Sequence, residues 1–177
     1  MLNFFVDVPA DAYYYDAVLW AAENEITGGT SATTFSPDMT CTRAQAVTFL
    51  WRAADSPAPK SETMPFVDVA ADAYYYDAVL WAVENGITAG TSETTFSPDM
   101  KCTRAQIMTF LWRAQKTPAA ETVNPFTDVA NGAYYADAVV WAVEQGITAG
   151  TSADTFSPNA NCTRAQIATF LWRCMGE

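Results

Sequence analysis

Apolar residues fall at Ile107, Phe110, Leu111 and Ala114, the spacing of one face of a helix. Just ahead stand Thr103 and, three residues on, Gln106, which together form a capping box. The pattern therefore predicts a helix with Thr103 as N-cap and Arg104 as its first residue, running through Trp112-Arg113. Cys102, one residue before the cap, takes the hydrophobic-staple position. A second helical run is predicted from Asp77 through Ala78-Val79-Leu80-Trp81-Ala82-Val83-Glu84 to Asn85, closed by Gly86 as a left-handed C′ residue with Ile87 packing back. The segment Thr88 to Asp99 between them is a loop. Gly90 permits positive φ there, Pro98 sets a turn, and Phe96 is the apolar residue that pins the loop to a core. The unit opens with Phe66-Val67-Asp68-Val69, an extended or turn-like piece in which Asp68 caps a turn or receives an arginine.

The unit occurs three times. Phe5, Phe66 and Phe126 are equivalent, as are Trp20, Trp81 and Trp141, and the period is 61 and then 60 residues; from Phe66–Arg113 to Phe126–Arg173, 36 of 48 positions are identical. The repeats are bounded as 1–53, 66–114 and 126–177, joined by polar, proline-bearing linkers at 54–65 and 115–125. Each linker spans up to roughly 35–40 Å when extended. One unit of two short helices cannot bury its Phe, Leu and Trp residues alone, so three should share one core and form one cooperative domain. An open solenoid needs polar terminal caps. Copies one and three are as apolar as copy two, which favours closure with one helix per unit at the axis. The expected fold is mainly α: three helix-loop-helix repeats closed about a pseudo-threefold axis. Copy one has Glu25 where copy two has Gly86, so its helix end should be slightly strained.

Composition narrows the function. Half the chain is hydrophobic and rich in aromatics, which excludes a disordered chain. A net charge of −11 without histidine excludes a basic face for nucleic acid and disfavours adsorption to an anionic membrane. No apolar stretch is long enough to cross a bilayer. Residues Met1 to Phe5 carry no secretory leader, so the chain reads as a segment of an exported protein whose signal lies elsewhere, or alternatively as a cytoplasmic protein. The spacing of Cys41, Cys102 and Cys162 matches no zinc pattern; they read as buried apolar residues, the alternative being three thiols that face one another around a threefold axis and hold a metal, and Cys174 reads as a free thiol. No loop has the carboxylate alternation of a calcium site, and no histidine, serine elbow or distinctive carboxylate pair points to an enzyme. The residues call for no cofactor and no metal.

The arginines are the informative charges. All six stand at two repeat positions, Arg43, Arg104 and Arg164, then Arg52, Arg113 and Arg173. The second set lies near a helix C-terminus, where the dipole welcomes a cation. The first set lies at a helix start, where a cation costs about 0.3–1 kcal/mol if exposed. Two readings stand. Each arginine pairs with a nearby Asp and holds the repeat together, or each joins the amides of the helix start in an anion site.

These residues resemble the S-layer homology (SLH) domain, three times over nearly the whole chain. The resemblance rests on Phe-x-Asp-Val, on Trp-Ala-x-Glu-x-Gly-Ile-Thr-x-Gly from Trp81 to Gly90, on Phe-Ser-Pro from Phe96 to Pro98, and on Thr-Arg-Ala-Gln in place of the family's Thr-Arg-Ala-Glu. It implies a monomeric pseudo-trimer with a central three-helix bundle and three prongs, whose inter-prong grooves bind secondary cell-wall polysaccharide, often bearing pyruvate ketals. It also implies a non-catalytic module at the cell surface or cell wall, fused in many cases to a larger surface protein. The groove role then falls on Arg43, Arg104 and Arg164. Gly29, Gly90 and Gly150 join them as sites of close backbone approach, with Trp20, Trp81 and Trp141 as stacking platforms and Tyr14, Tyr75 and Tyr135 as weaker ones. Gln45, Gln106 and Gln166 replace the motif glutamate, and Thr94-Thr95 and Asp154-Thr155 stand where the family has Asp-Gly. The alternative is a protein-interaction or surface-layer assembly module on the same scaffold, without glycan.

Overall fold

The computed structural model describes residues 2–176; Met1 and Glu177, the outer bounds expected of the first and third repeats, lie outside the described residues. Six helices occur in order: α1 (Tyr15–Glu23), α2 (Arg43–Ala53), α3 (Tyr76–Glu84), α4 (Arg104–Ala114), α5 (Ala136–Glu144) and α6 (Arg164–Met175). They hold 35% of the chain and are the regular elements of the described residues, as the helix-loop-helix reading expects. Most of each repeat is turn and loop, closed by side-chain hydrogen bonds and by three isolated antiparallel bridges, Thr40 with Thr163, Thr42 with Lys101, and Thr103 with Asn161.

The capping boxes form in all three copies. Thr103 Oγ1 accepts from the Gln106 amide at 3.2 Å, and Gln106 Oε1 accepts from the Thr103 amide at 3.0 Å. This fixes the starts of α2, α4 and α6 at the arginines. The first helices begin at Tyr15, Tyr76 and Ala136, without a side-chain cap. The close of α3 is a Schellman motif: the Gly86 amide donates to Val83 and the Ile87 amide to Ala82. Gly86 and Gly146 take φ of 67° and 72°, and Glu25 is forced to 57° at the same place. A Cβ at Gly86 or Gly146 meets nothing within 4 Å, so the cost at Glu25 is purely backbone. Glu25→Gly is expected to stabilise the chain by about 1 kcal/mol. Urea unfolding beside Glu25→Ala, which keeps the strain, checks this; equal midpoints for all three chains would show the strain is relaxed elsewhere.

The first helix of each repeat packs not on its own second helix but on that of the preceding copy. α3 lies on α2 and α5 on α4, and α1 lies on α6 from the far end of the chain; α2, α4 and α6 also touch one another. A ring of backbone bonds ties the three copies together. Cys41 N donates to Cys162 O at 2.8 Å, Cys162 N to Cys102 O at 2.9 Å, and Cys102 N to Cys41 O at 2.9 Å. The cysteine side chains are fully buried, and burial pushes the Cys41 and Cys162 thiols up to about 12. Leu50, Leu111, Leu171, Phe96 and Phe156 share one core cluster with the cysteines, and Phe35 lies in a second, all fully buried.

The same order satisfies the orphan amides of the second helices. Arg104 N donates to Ala160 O and Ala105 N to Pro158 O; Arg43 and Ala44 use Met100 and Pro98, and Arg164 and Ala165 use Met39 and Pro37. Each helix start is therefore closed by the loop of another copy. The reading of these amides as open to an anion is corrected: carbonyl oxygens and the Thr cap already fill them.

Candidate functional site

The loop that closes a helix start is itself held from two sides. Asp68 lays its carboxylate across the loop, accepting from Phe96 N and Ser97 N at 2.8 Å each. Asp7 and Asp128 make the same clasp on Phe35–Ser36 and Phe156–Ser157. These bonds hold the serines at positive φ. At Asp128 burial acts to raise the pKa, but the two amide bonds and Arg104 outweigh it and hold the carboxyl below its ordinary value. Across the loop, Gly90 sits at φ 85° with its amide on Thr88 Oγ1, and a Cβ there would collide with the Thr95 carbonyl and the Phe66 ring. Gly29 and Gly150 are equally closed in. The close backbone approach expected of these glycines is to their own repeat's Phe and loop.

The clasp aims the Phe96 carbonyl at Arg43 of the preceding copy. Arg43 Nε donates to Phe96 O at 2.9 Å, and its guanidinium lies 4.8 Å from the Phe96 ring centre and 5.4 Å from that of Phe110. Arg104 repeats this with Phe156 and Phe170, and Arg164 with Phe35 and Phe49. The three arginines are only 3%, 5% and 4% exposed. The structural pairing read from the sequence is thus corrected in its partner: a carbonyl and two aromatic faces take the place of an aspartate, whose oxygens are spent on the loop amides. Burial lowers the pKa of all three guanidinium groups from the ordinary value.

The three guanidinium groups differ on their far side. Among the described residues Arg43 uses only Nε, and Arg104 Nη2 is buried with no partner; Arg164 Nη2 alone finds one, Thr27 Oγ1 at 3.3 Å. Arg43 looks into a cavity of about 340 Å³ whose walls come from all three copies: Thr88 to Thr91, Gln106, Thr109, Phe110 and Arg113 from the second, and Tyr134 from the third. Arg113 Nη1 is steadied by Ile87 O at 3.2 Å, so two guanidinium groups face one groove. Tyr134 is exposed and stands edge-on to Tyr135 with ring centres 5.0 Å apart. Tyr74 lies in the field of Arg52 and acts on Arg164, and Tyr13 lies in that of Arg173 and acts on Arg104, which marks the two related grooves.

Of the residues marked in the sequence, Arg43 and Gly90 line this cavity, beside Arg113, Gln106 and Tyr134, which were not marked for it; Tyr14, Tyr75 and Tyr135 were favoured instead. The tryptophans are elsewhere. Trp81 is buried and lines a cavity with Pro57, Ala58, Lys60 and Ser61 of the first linker, and Trp141 lines one with Pro118 of the second. Trp20 is half-buried against the core. Linkers, which periodicity cannot dock, cover the surface on which stacking was expected. Among the described residues no three His, Cys, Asp or Glu side chains are grouped to hold a metal, and no helix is long and apolar enough to cross a membrane.

The S-layer homology domain profile matches residues 4–47, 65–108 and 125–168. The chain is 32% identical over 165 residues to the surface-layer 125 kDa protein of Lysinibacillus sphaericus, covering 91% of this chain and 14% of that one. It is 29% identical over 171 residues to the S-layer protein of Bacillus thuringiensis subsp. finitimus, covering 94% and 21%. Over 114 residues it is 37% identical to an endoglucanase of Bacillus sp. (strain KSM-635), covering 64% and 12%. The chain therefore spans only a minor part of these relatives.

Proposed function

The chain belongs to the S-layer homology domain family, and from that premise we propose that it is a non-catalytic cell-wall anchoring module that binds acidic secondary cell-wall polysaccharide in its inter-repeat grooves. Its setting is the cell surface or cell wall, that of the surface-layer and cell-surface proteins it is similar to. The three repeats act as one closed pseudo-threefold trimer, with α2, α4 and α6 as its central bundle and the clasped loops as its prongs. The ring of cysteine backbone bonds and the cyclic pairing of helices support this reading.

The observation that carries the glycan reading is the half-used guanidinium. Arg43 donates through Nε alone to the Phe96 carbonyl and lines the groove, so its remaining donors are free to meet a ligand there. A carboxylate on a sugar, such as a pyruvate ketal, engages them with charge-assisted hydrogen bonds. Arg113 adds a second cation and Tyr134 a flat apolar face for the sugar ring. The two relatives above with surface-layer names differ in kind from the endoglucanase, yet all three share this small part of their length, as a portable anchor would.

The test is retention on native wall sacculi before and after chemical removal of the wall polysaccharide. The variant is Tyr13, Tyr74 and Tyr134 all changed to Ala, because those side chains are exposed and their loss should leave the fold standing. Retention should need the polysaccharide, weaken at high salt as the guanidinium–carboxylate attraction is screened, and fall about tenfold or more in the variant. Equal retention on stripped sacculi would move the weight to a protein-interaction module.

A further inference from the structure

The capping box that starts each second helix leaves one group over. Gln106 Oε1 accepts from the Thr103 amide at 3.0 Å, and Gln45 and Gln166 accept at 3.0 Å from Thr42 and Thr163. Because the capped group is an N–H, it fixes which end of the side-chain amide faces it. The oxygen is turned to the cap and the –NH2 away from it. Among the described residues none of the three Nε2 atoms has an acceptor. Gln106 is half-buried and lines the cavity of about 340 Å³ beside Arg43 and Arg113. Its amide nitrogen is therefore a donor that the helix start holds at the groove.

The cap does not require glutamine. Glutamate closes a capping box as well, and its charge would favour the positive end of the helix. The chain is rich in carboxylates, with 20 Asp and Glu against 9 Lys and Arg, yet glutamine stands at this position in all three copies. The groove shows what a glutamate would change. One carboxylate oxygen would take the cap, and the charge would sit beside Arg43 and Arg113. As it is, no Asp or Glu lines the cavity. Asp68, whose field reaches Arg43, has its oxygens on the Phe96 and Ser97 amides.

We propose that Gln106, with Gln45 and Gln166, sets the ligand class of the grooves. The inference rests on the glycan reading above and narrows it. Each glutamine presents a neutral donor where a carboxylate would serve the helix as well, so the two guanidinium groups meet the ligand uncompensated. The groove then takes a sugar whose recognised group is anionic and offers only acceptor oxygens. It discriminates against neutral sugars and against sugars bearing a free amine. The –NH2 donates to one oxygen of the anion while Arg43 and Arg113 meet its charge.

The experiment compares two triple variants with the wild-type chain, Gln→Glu and Gln→Ala at positions 45, 106 and 166. Each is measured by urea unfolding and by retention on native wall sacculi. The Gln→Glu chain keeps the capping boxes and should match or exceed the wild-type urea midpoint, while the Gln→Ala chain loses them and should unfold at lower urea. Retention should rank the other way. The Gln→Glu chain should fall about tenfold or more, since a like charge now faces the ligand, and what remains should respond less steeply to salt. The Gln→Ala chain loses a donor but gains no charge and should keep more of its retention. A Gln→Glu chain retained like wild type, on sacculi from which the chain with Tyr13, Tyr74 and Tyr134 changed to Ala is lost, would overturn this proposal and leave the glycan reading standing. Retention that follows stability, with Gln→Ala the worst, would make the glutamines caps alone and overturn it too. Wild-type retention that survives removal of the polysaccharide would remove the glycan reading, and this proposal with it.

Discussion

A chain cut after Ala114, which keeps the first two repeats whole, is expected to lose the fold rather than two-thirds of it surviving. Helix α1 would lose α6, the helix on which it packs. Arg104 would lose the Phe156 carbonyl and both aromatic faces, and the amides at the start of α4 would lose Ala160 and Pro158. The cysteine ring would open at two of its three bonds. α6 also contributes Ile167, Phe170 and Leu171, all buried, to the common core. At about 1.5–3 kcal/mol for each such side chain, their removal alone rivals a whole domain's stability of about 5–15 kcal/mol. The full chain should therefore melt in one transition, and the cut chain should show weak helical circular dichroism and no cooperative urea transition. A cut chain with two-thirds of the full helical signal and a sharp transition of its own would make the repeats independent units stacked in a row.

That cyclic dependence explains what could and could not be read from the chain. The Thr103–Gln106 box and the Gly86 close are local: every partner lies within five residues, and both stand where the pattern put them. Phe96 was marked by being apolar in a polar loop, and it is fully buried. The partner of Arg43 was not legible. It is the Phe96 carbonyl, 53 residues away in another copy, and with near-identical copies nothing in the residues says whether an arginine meets its own loop or the next one. Tyr134 escaped for the same reason, since it reaches the Arg43 groove from two copies away. Recurrence does not single it out either, because Tyr14, Tyr75 and Tyr135 recur in all three copies just as Tyr13, Tyr74 and Tyr134 do.

Arg104→Ala should cost about 2–4 kcal/mol of stability, far more than an ordinary polar substitution. A hydrogen bond from a charged donor contributes about 1.5–3 kcal/mol, and a desolvated cation over an aromatic face about 2 kcal/mol. Truncation forfeits both, strands the Phe156 carbonyl, and leaves a void between α4 and α6. Against this, the buried guanidinium has an unpaired Nη2 and pays a desolvation cost that its loss refunds, which keeps the net figure below the sum. Arg104→Lys should be nearly as harmful, because an ammonium cannot lie flat between Phe156 and Phe170 while donating sideways to the carbonyl. Arg104→Met fills most of the space without a buried charge and should cost least of the three. Urea unfolding at neutral pH of the wild-type chain and these three variants would settle the order. An Arg104→Ala chain within 0.5 kcal/mol of wild type, inside the range of ordinary surface changes, would mean the arginine serves only a ligand. The expected order has a consequence for binding work. Loss of wall binding in an arginine-to-alanine chain reports unfolding before it reports recognition, so the exposed tyrosines are the side chains on which the groove can be tested with the fold held constant.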